Sequence, residues 1–452
     1  MKSLVVGQAG RESILGEFMA QHSALHVVME HANPSLVHSA ERSGGAWQLG
    51  GTCDPDSVAA FATQHGVEIA MVSADDPLAA GVVDALQAKG IAVVGPTRAG
   101  AKIEWDKLYA RSVLDQVAPQ ANPKTASAAT REEVEAALAE FDGEPIAVKP
   151  VGLTGGKGVK VMGPHLATYA EASEYAAEIL AGEVRGGSVL FEEKLTGLEF
   201  TIQAITDGQT IVFPPATYDY PYRCDGDTGP GTGGMGSFTD VDGLLPGLSR
   251  EDYAAACAIV EAVIRHLDAE GRSFSGVLNA GFMATEQGVK VIEFNARFGD
   301  PECLNILSLF DGNWIETMQA ICERRLTPDL VPLRDEATVV VYLVSPEYAF
   351  GGGSPTKYRL DTTAAREAGC RTLFHSSVEV GEGEYQTLGT SRAVGLTATG
   401  STREEARDRV VEGIERSLSG TLEWRQDIAS PSYIEAFMDP AGRASRAARS
   451  TA

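Results

Sequence analysis

The sequence predicts a multidomain protein of mixed α/β and α+β class, and three observations carry that expectation. Short apolar runs alternate with helical patterns over roughly the first 100 residues, which implies a parallel sheet covered on both faces. From 101 to about 330 the order changes to helices followed by neighbouring strands, α+β in character. A last stretch, about 331–430, is β-rich. A chain of 452 residues has room for about two to four such units.

Each element follows in order. KSLVVG is an apolar run ending in glycine, and GRESILGEFMAQ after it is helical: strand, tight turn, helix. HVVME, VEIAMVSA and AVVG are further strands, with DSVAAFATQ and PLAAGVVDALQAKG as helices between them. The run ends near GPTRAG, which sets the first domain at 1–100. In 101–330, KLYARSVLDQV and REEVEAALAEF read as helices, and PIAVKP, KVMG, SVLFEEKL and EFTIQAITD as strands. ATVVVYLV opens the third domain, 331–430, which also holds the strand AVGLTATG and the helix TREEARDRVVEGIERSL. The tail, 431–452, ends in the small, polar, basic DPAGRASRAARSTA and is expected to be disordered.

Apolar residues make up 44% of the chain, enough for a substantial core. No window approaches the ~18 apolar residues of a membrane span, and the N-terminal apolar run is too short for a signal peptide. The six cysteines are scattered with no CxxC pair, so neither a zinc site nor a disulfide framework is expected, and reduced thiols in a cytoplasm are. The net charge of −25 argues against a nucleic-acid groove. Lysine is scarcer than arginine, which fits either a high-salt cytoplasm or GC-rich coding. The eight histidines lie outside the motifs and are expected to be structural or at the surface.

Four stretches carry chemistry. Gly7-Gln-Ala-Gly10-Arg11-Glu12 follows a strand and opens a helix, a turn that offers N–H groups to phosphate. It is not GxGxxG, Glu30 is its only candidate ribose ligand, and an ordinary βα turn remains the other reading. In AVKPVGLTGGKGVKVMG, Lys149 ends a strand, Gly155-Gly156-Lys157-Gly158 turns, and Val159–Met162 returns. A glycine-tipped hairpin with facing lysines suits a triphosphate, although a solvent hairpin with an incidental lysine has the same sequence. It is not a Walker A loop. Glu192, Glu193 and Lys194 end a strand and Glu199 follows a turn; alone, that is a charged edge. In KVIEFNARFGDPE, period-2 alternation puts Val291, Glu293 and Asn295 on one face and Ile292 and Phe294 toward the core. Glu293 and Asn295 are hard oxygen ligands suited to Mg²⁺ shared with phosphates; the preceding strand adds only Asn279. The glycine-rich DTGPGTGGMG, Asp227–Gly236, is either a hairpin tip or a loop closing over an anion.

The order GxxGRE, GPT…K, VKPxGLxxGKGV, DTGPxTGGMG, VIEFNxRFGDPE, across about residues 1–430, resembles the glycinamide ribonucleotide synthetase (phosphoribosylamine–glycine ligase) family of the ATP-grasp superfamily. The resemblance implies a Rossmann-like N-terminal domain, an ATP-grasp central domain with a lid at about 124–187, and a small β-rich C-terminal domain. It implies ligation of glycine to 5-phosphoribosylamine through a glycyl phosphate, step two of purine synthesis, with ATP and Mg²⁺ (or Mn²⁺). It implies a monomer or homodimer with small-molecule substrates and no nucleic acid or membrane. Such chemistry is positioning and charge neutralisation, in keeping with the absence of a Ser–His or Cys–His pair.

By the same resemblance, Lys107 and Lys149 bind phosphates and Gly155–Gly158 with Lys157 covers the triphosphate. Glu192, Glu193 and Leu195 belong to the adenine hinge, and Glu199 holds the ribose. Glu293 and Asn295 hold the metal. Arg297 and Asp300 face the acyl phosphate and the amino acid, with Lys157 as the third catalytic group. Gly7, Gly10, Arg11, Glu12, Asp75, Asp227, Thr228, Gly229 and Pro230 line the substrate side, Asp227 holding an ammonium.

The departures from the family pattern gather on the amine side. They are Ala9–Ser13, SADDPL at 73–78 with Asp75 as a shortened acid, and Tyr220-Pro221-Tyr222 with Arg223 displaced by one position. VSPEYAFGGGSP is the fourth. They motivate a second reading, a paralogous ligase joining an amino acid to another sugar or nucleoside amine. A biotin-carboxylase-like protein is opposed by DTGPxTGGMG, and an inactive nucleotide-binding scaffold by the intact Lys149, Lys157, Glu293, Asn295 and Arg297.

Overall fold

The N-terminal alternation folds as a parallel sheet in this computed structural model, which describes residues 1–153, 158–163, 165–184, 187–351, 353–389 and 391–438. Its strands are β1 (Lys2–Val6), β2 (Ala24–Met29), β3 (Trp47–Leu49), β4 (Ile69–Val72) and β5 (Ala92–Val94). The order β3-β2-β1-β4-β5 reverses direction between β1 and β4, and ligands bind doubly wound sheets at that switch point. Helices start where the sequence caps them: Asn33 and Asp54 accept from the free N–H groups of Pro34–Ser43 and Pro55–His65. The single helix expected over PLAAGVVDALQAKG is split at Gly81, φ +91°, into Asp75–Ala80 and Val82–Ala88.

Next come β6 (Thr125–Ala128), β7 (Ile146–Pro150), β8 (Lys160–Val161) and β9 (Val189–Glu193), an antiparallel sheet in the order β6-β9-β7-β8. It has its own small core, built from residues such as Leu138, Phe141, Val148, Ile179 and Phe191. The chain continues through β10 (Leu198–Thr206), β11 (Ile211–Val212), β12 (Tyr218–Asp219), β13 (Tyr222–Cys224), β14 (Thr228–Gly231) and β15 (Gly236–Thr239). It then forms β16 (Gly276–Thr285) and β17 (Gly288–Asn295). A second antiparallel sheet has the order β11-β10-β16-β17. Arg111 ties the two: it pairs with Glu192 of β9 and donates to the carbonyls of Val291 (3.0 Å) and Ile292 (2.7 Å) on β17.

The C-terminal part adds β18 (Ala337–Leu343), β19 (Lys357–Leu360), β20 (Arg371–Phe374), β21 (Ser377–Gly381), β22 (Glu384–Thr387), β23 (Val394–Gly400) and β24 (Leu418–Gly420). Its main sheet, β12-β15-β18-β23-β20, borrows two strands from the glycine-rich region. β13 and β14 form a separate hairpin. The expectation of a disordered tail needs correction at its start: Pro431–Met438 is a helix with Tyr433 and Ile434 buried. Apolar burial and the Tyr433 hydroxyl, which donates to Asp227 at 2.8 Å, fix it. Residues 439–452 lie outside the described residues. Among the described residues, no helix is long and apolar enough to cross a membrane.

Candidate active site

The cleft between the two antiparallel sheets gathers cations and carboxylates. Asp106 caps the helix Lys107–Val117 through the Tyr109 N–H, which makes Lys107 its first residue. The Lys107 ammonium donates to the Gly152 carbonyl at 3.0 Å and is pushed below the usual lysine range by burial, against the pull of Glu293. Lys149 on β7 lies 2.5 Å from Glu192, whose other oxygen is 2.6 Å from Arg111. Burial pushes the Glu192 carboxyl up, but Arg111 and Lys149 outweigh it and hold it below the ordinary range. The Glu192 side chain therefore faces the phosphate-side lysine. Glu193 and Leu195 are half-buried at the strand end, as is Glu199 on β10. Of the glycine turn, Gly158 is described, its carbonyl accepting from the Tyr175 hydroxyl at 2.6 Å. Gly155, Gly156 and Lys157 lie outside the described residues.

The metal face differs from strict alternation. Glu293 and Asn295 do share a face, with Asn295 Nδ2 3.4 Å from Glu293 Oε1. Val291, however, is fully buried and Ile292 half-buried. Gly281 pairs with Glu293 and Phe282 with Val291, so Ile292 is the extra residue of a bulge, which reverses the alternation. The bulge frees the Ile292 carbonyl for Arg111 and for Lys149 at 3.4 Å.

The donors present fit a divalent cation. Glu293 is exposed, and Asp219, half-buried on β12, is pushed well above the usual carboxylate range by burial and by Glu302, Glu199 and Glu293. A buried carboxylate raised by its neighbours in this way is relieved by a hard cation. Among the described residues no three His, Cys, Asp or Glu side chains form a complete metal cluster, so phosphate or water oxygens would complete the shell.

Arg297 lies beside this face, 3.0 Å from Glu104 and donating to Asn295 Oδ1 at 3.0 Å. Burial pushes the Glu104 carboxyl up to about 7, although Arg297 opposes it. Asp75, half-buried after β4, is pushed up by burial but held below its usual value by Arg297 and Arg11.

The switch-point crevice is partly filled by the chain itself. The Arg11 N–H donates to Asp300 at 3.0 Å, its guanidinium to the Phe298 carbonyl at 3.1 Å, and the Ser73 hydroxyl accepts from the Phe298 N–H at 3.2 Å. Glu12 turns back onto Arg11 at 2.7 Å and onto the Ala9 N–H at 2.8 Å. The side chains of Arg11 and Glu12 are thus committed to each other and to the FGDP segment, which corrects their assignment as substrate ligands. Gly7, with φ +127°, leaves room for Glu12. Gly10 leaves room for the Tyr342 hydroxyl. Glu30 is likewise taken, by Thr52.

Asp300 is a hub rather than an open ligand. Tyr342 donates to it at 2.6 Å, Arg392 stands 3.3 Å away, and its carboxylate is 5% exposed. Burial pushes it up, but Arg392, His375 and Arg11 hold it well below the carboxylate range. Arg392 also donates to the Gly233 and Gly234 carbonyls, pinning the glycine-rich loop. Asp227, at φ +55°, faces inward, 3.0 Å from Arg425 and accepting from Tyr433. Its assignment to a substrate ammonium is corrected accordingly: the buried pair fastens the loop to Arg425, ahead of the C-terminal helix, and Tyr433 fastens it to the helix. Thr228 and Gly229 are exposed and Pro230 half-buried on the second strand of the hairpin, β14. The loop runs on from the β13–β14 hairpin and passes close to Pro301: a Cβ on Gly234 would fall 2.6 Å from its ring.

Comparison with known proteins places this geometry. The family model "Phosphoribosylglycinamide synthetase, N domain" matches residues 1–104 and "Phosphoribosylglycinamide synthetase, ATP-grasp (A) domain" matches 105–303. The chain belongs to the phosphoribosylglycinamide synthetase family. It is 38% identical to a phosphoribosylamine–glycine ligase of Methanoregula boonei over 438 residues, covering 96% of this chain and 98% of the relative. It is 36% identical to that of Thermococcus gammatolerans over 436 residues, 96% of each. A solved phosphoribosylamine–glycine ligase of Thermotoga maritima shares the fold, with TM-score 0.76, 24% identity, and coverage of 95% of this chain and 100% of that one.

Within this synthetase fold, several site residues escaped the sequence reading. Arg111, Glu104 and Asp219 sit near recognised motifs, yet only the tertiary pairing shows where they point. His375 and Arg392 come from the C-terminal part, and His375, 2.9 Å from Arg392, lies at the site rather than at the surface.

Proposed function

We propose that this chain is an ATP-dependent ligase joining glycine to 5-phosphoribosylamine, with glycinamide ribonucleotide, ADP and phosphate as products. The observation that carries the reading is the convergence of Lys107, Lys149, Glu293, Asn295 and Arg297 around one cleft in a chain of this family. A glycine carboxylate oxygen attacks the γ-phosphorus and ADP leaves; the amine then attacks the acyl carbon and phosphate leaves. Lys107 and Lys149 neutralise the phosphates, Lys149 being oriented by Glu192. Arg297 faces the charge that develops on the acyl phosphate, held by Glu104 and Asn295. Mg²⁺, or Mn²⁺, held by Glu293 and Asn295, would supply charge neutralisation at the phosphates and polarise the γ-phosphoryl group.

We also propose the division 1–100, 101–330 and 331–430, a cytoplasmic site of action, and a monomer or homodimer. The free cysteines support the cytoplasmic site, and the end of the parallel sheet at Val94 supports the first boundary. A second reading, another sugar or nucleoside amine in place of phosphoribosylamine, rests on Arg223: it points to Glu423 at 2.6 Å and to the Tyr348 carbonyl, not into the cleft. ADP release with ATP, Mg²⁺ and glycine, with and without fresh phosphoribosylamine, tests both. Release that needs both substrates, with glycinamide ribonucleotide seen by mass spectrometry, supports the first. Release that ignores phosphoribosylamine but responds to another amine supports the second.

A further inference from the structure

Two of the departures from the family pattern meet at one place on the surface. Arg223 on β13 and the loop VSPEYAFGGGSP after β18 come together where the Phe350 ring stacks 5.7 Å from the Arg223 guanidinium. Phe350 is 57% exposed. It follows Ala349, at φ +70°, a left-handed backbone that costs a non-glycine residue free energy and gathers at binding sites. Beside this ring a groove of about 510 Å³ runs between Arg223–Asp225 and Leu422–Gln426. Leu422 is buried and Trp424 half-buried in its wall.

The groove carries an excess of negative charge. Arg223 pairs with Glu423 at 2.6 Å, and Arg425 pairs with Asp227 at 3.0 Å and with Asp427 at 2.6 Å. Asp225 is exposed beside them, so Asp225, Asp227, Glu423 and Asp427 face the guanidiniums of Arg223 and Arg425 alone. Partial burial, and then Asp427, push the Asp225 carboxyl up, a strain that an arriving cation relieves. Aromatic rings beside an unmatched carboxylate suit a guanidinium, which stacks and forms a charged hydrogen bond at once.

The chain carries such groups close by. The Arg425 guanidinium lies 5.9 Å from the ring of Tyr433. Met438 ends that helix five residues later, about 7.5 Å along its axis. Arg443, Arg446 and Arg449 follow at every third position, separated by small residues, and Asp439 is the one acidic residue among them. Arg446 is eight residues past Met438, a reach of up to about 27 Å. A basic segment on a chain of net charge −25 thus starts beside an acidic, aromatic groove.

We infer that the arginine-bearing segment after Met438 docks in this groove, its guanidiniums stacked on Phe350 and Trp424 and paired with Asp225. Arg223 points away from the cleft, so docking clasps the β13–β14 hairpin without touching the reacting groups.

A fluorescent peptide of residues 439–452, titrated with the full chain and followed by anisotropy, tests this. Two forms are compared, wild type and the triple variant Arg443→Ala, Arg446→Ala, Arg449→Ala. The triple variant binds the peptide. Wild type binds it at least about tenfold more weakly, because its own segment competes at a high effective concentration. In the triple-variant background, Phe350→Ala and Asp225→Asn, both at exposed positions, each weaken the peptide at least about fivefold, as does ~0.5 M NaCl. A peptide with alanine at its three arginines does not bind. Failure of the triple variant to bind overturns the inference. So does equal affinity for the two forms, or affinity that survives both Phe350→Ala and Asp225→Asn. Wild type that self-associates while the triple variant stays a single chain puts the segment on a second copy, and overturns docking within one chain.

Discussion

The two sides of the cleft use charged motif residues differently. On the nucleotide side, Glu293 is exposed and Lys107 and Asn295 are half-buried, none of them in an ion pair among the described residues, with Lys149 held by Glu192. On the amine side, Arg11–Glu12, Asp227–Arg425 and Asp300–Arg392 close on each other. A motif full of charged residues is thus as often a fastener between domains as a ligand set. Arg11 and Arg392 hold the N-terminal and C-terminal parts of the chain against one loop, Phe298–Asp300, while Asp227 and Arg425 tie the glycine-rich region to the end of the chain.

That contrast can be broken by mutation. The largest effects belong to the nucleotide side: Lys149→Met and Glu293→Gln should each cut kcat by about 10²–10³, read by steady-state ADP release; Glu293→Gln, at an exposed residue, should change thermal stability little, whereas Lys149→Met also breaks the buried pair with Glu192 and should lower it. Near-normal turnover in either would remove that residue from the phosphate or metal site. Asp227→Ala should do the opposite. It breaks a buried pair and costs ~3 kcal/mol, the low end for such a loss because Asp427 still faces Arg425 at 2.6 Å. Denaturant unfolding would show this while the KM for glycine stays within about threefold; a selective rise in that KM would return Asp227 to the substrate site.

A smaller effect is pH-dependent. His375 is pushed down from 6.5 to about 3, first by burial and then by Arg392. The unfolded chain gains a proton there below about 6.5 that the folded chain refuses until about 3. Stability is therefore lost as pH falls through that window, by up to ~1.4 kcal/mol per unit. His375→Gln should lose stability less steeply between pH 6.5 and 5, and parallel curves would place the histidine outside the buried network. The smallest effect is at the end of the chain. Removal of residues beyond 440 should leave activity unchanged, whereas removal from Pro431 takes away the Tyr433 contact to Asp227 and should lower the melting temperature.

Much of this was legible in the sequence because it is local. Apolar periodicity marked β1, β2, β4 and β5, while β3 escaped, being three residues long and half-exposed. Lys149, Glu293 and Asn295 were readable from residue type and spacing, and Lys107 through the family resemblance alone. The Ile292 bulge was not, because a one-residue insertion depends on the partner strand β16. Arg111, Glu104, His375 and Arg392 were illegible for the same reason: each acts on a residue distant in sequence, as Arg111 does on Ile292. Asp227 misled because a charged residue in a glycine-rich loop looks free until Arg425 is placed beside it.

The central claim, ligation through a glycyl phosphate, is tested most directly by oxygen transfer. Glycine labelled with ¹⁸O in its carboxylate is turned over with ATP, Mg²⁺ and phosphoribosylamine, and the released phosphate is analysed by mass spectrometry. One labelled oxygen per phosphate, dependent on phosphoribosylamine, is the predicted result. Phosphate released without label would mean that the carboxylate never attacks the γ-phosphorus, and would contradict the account.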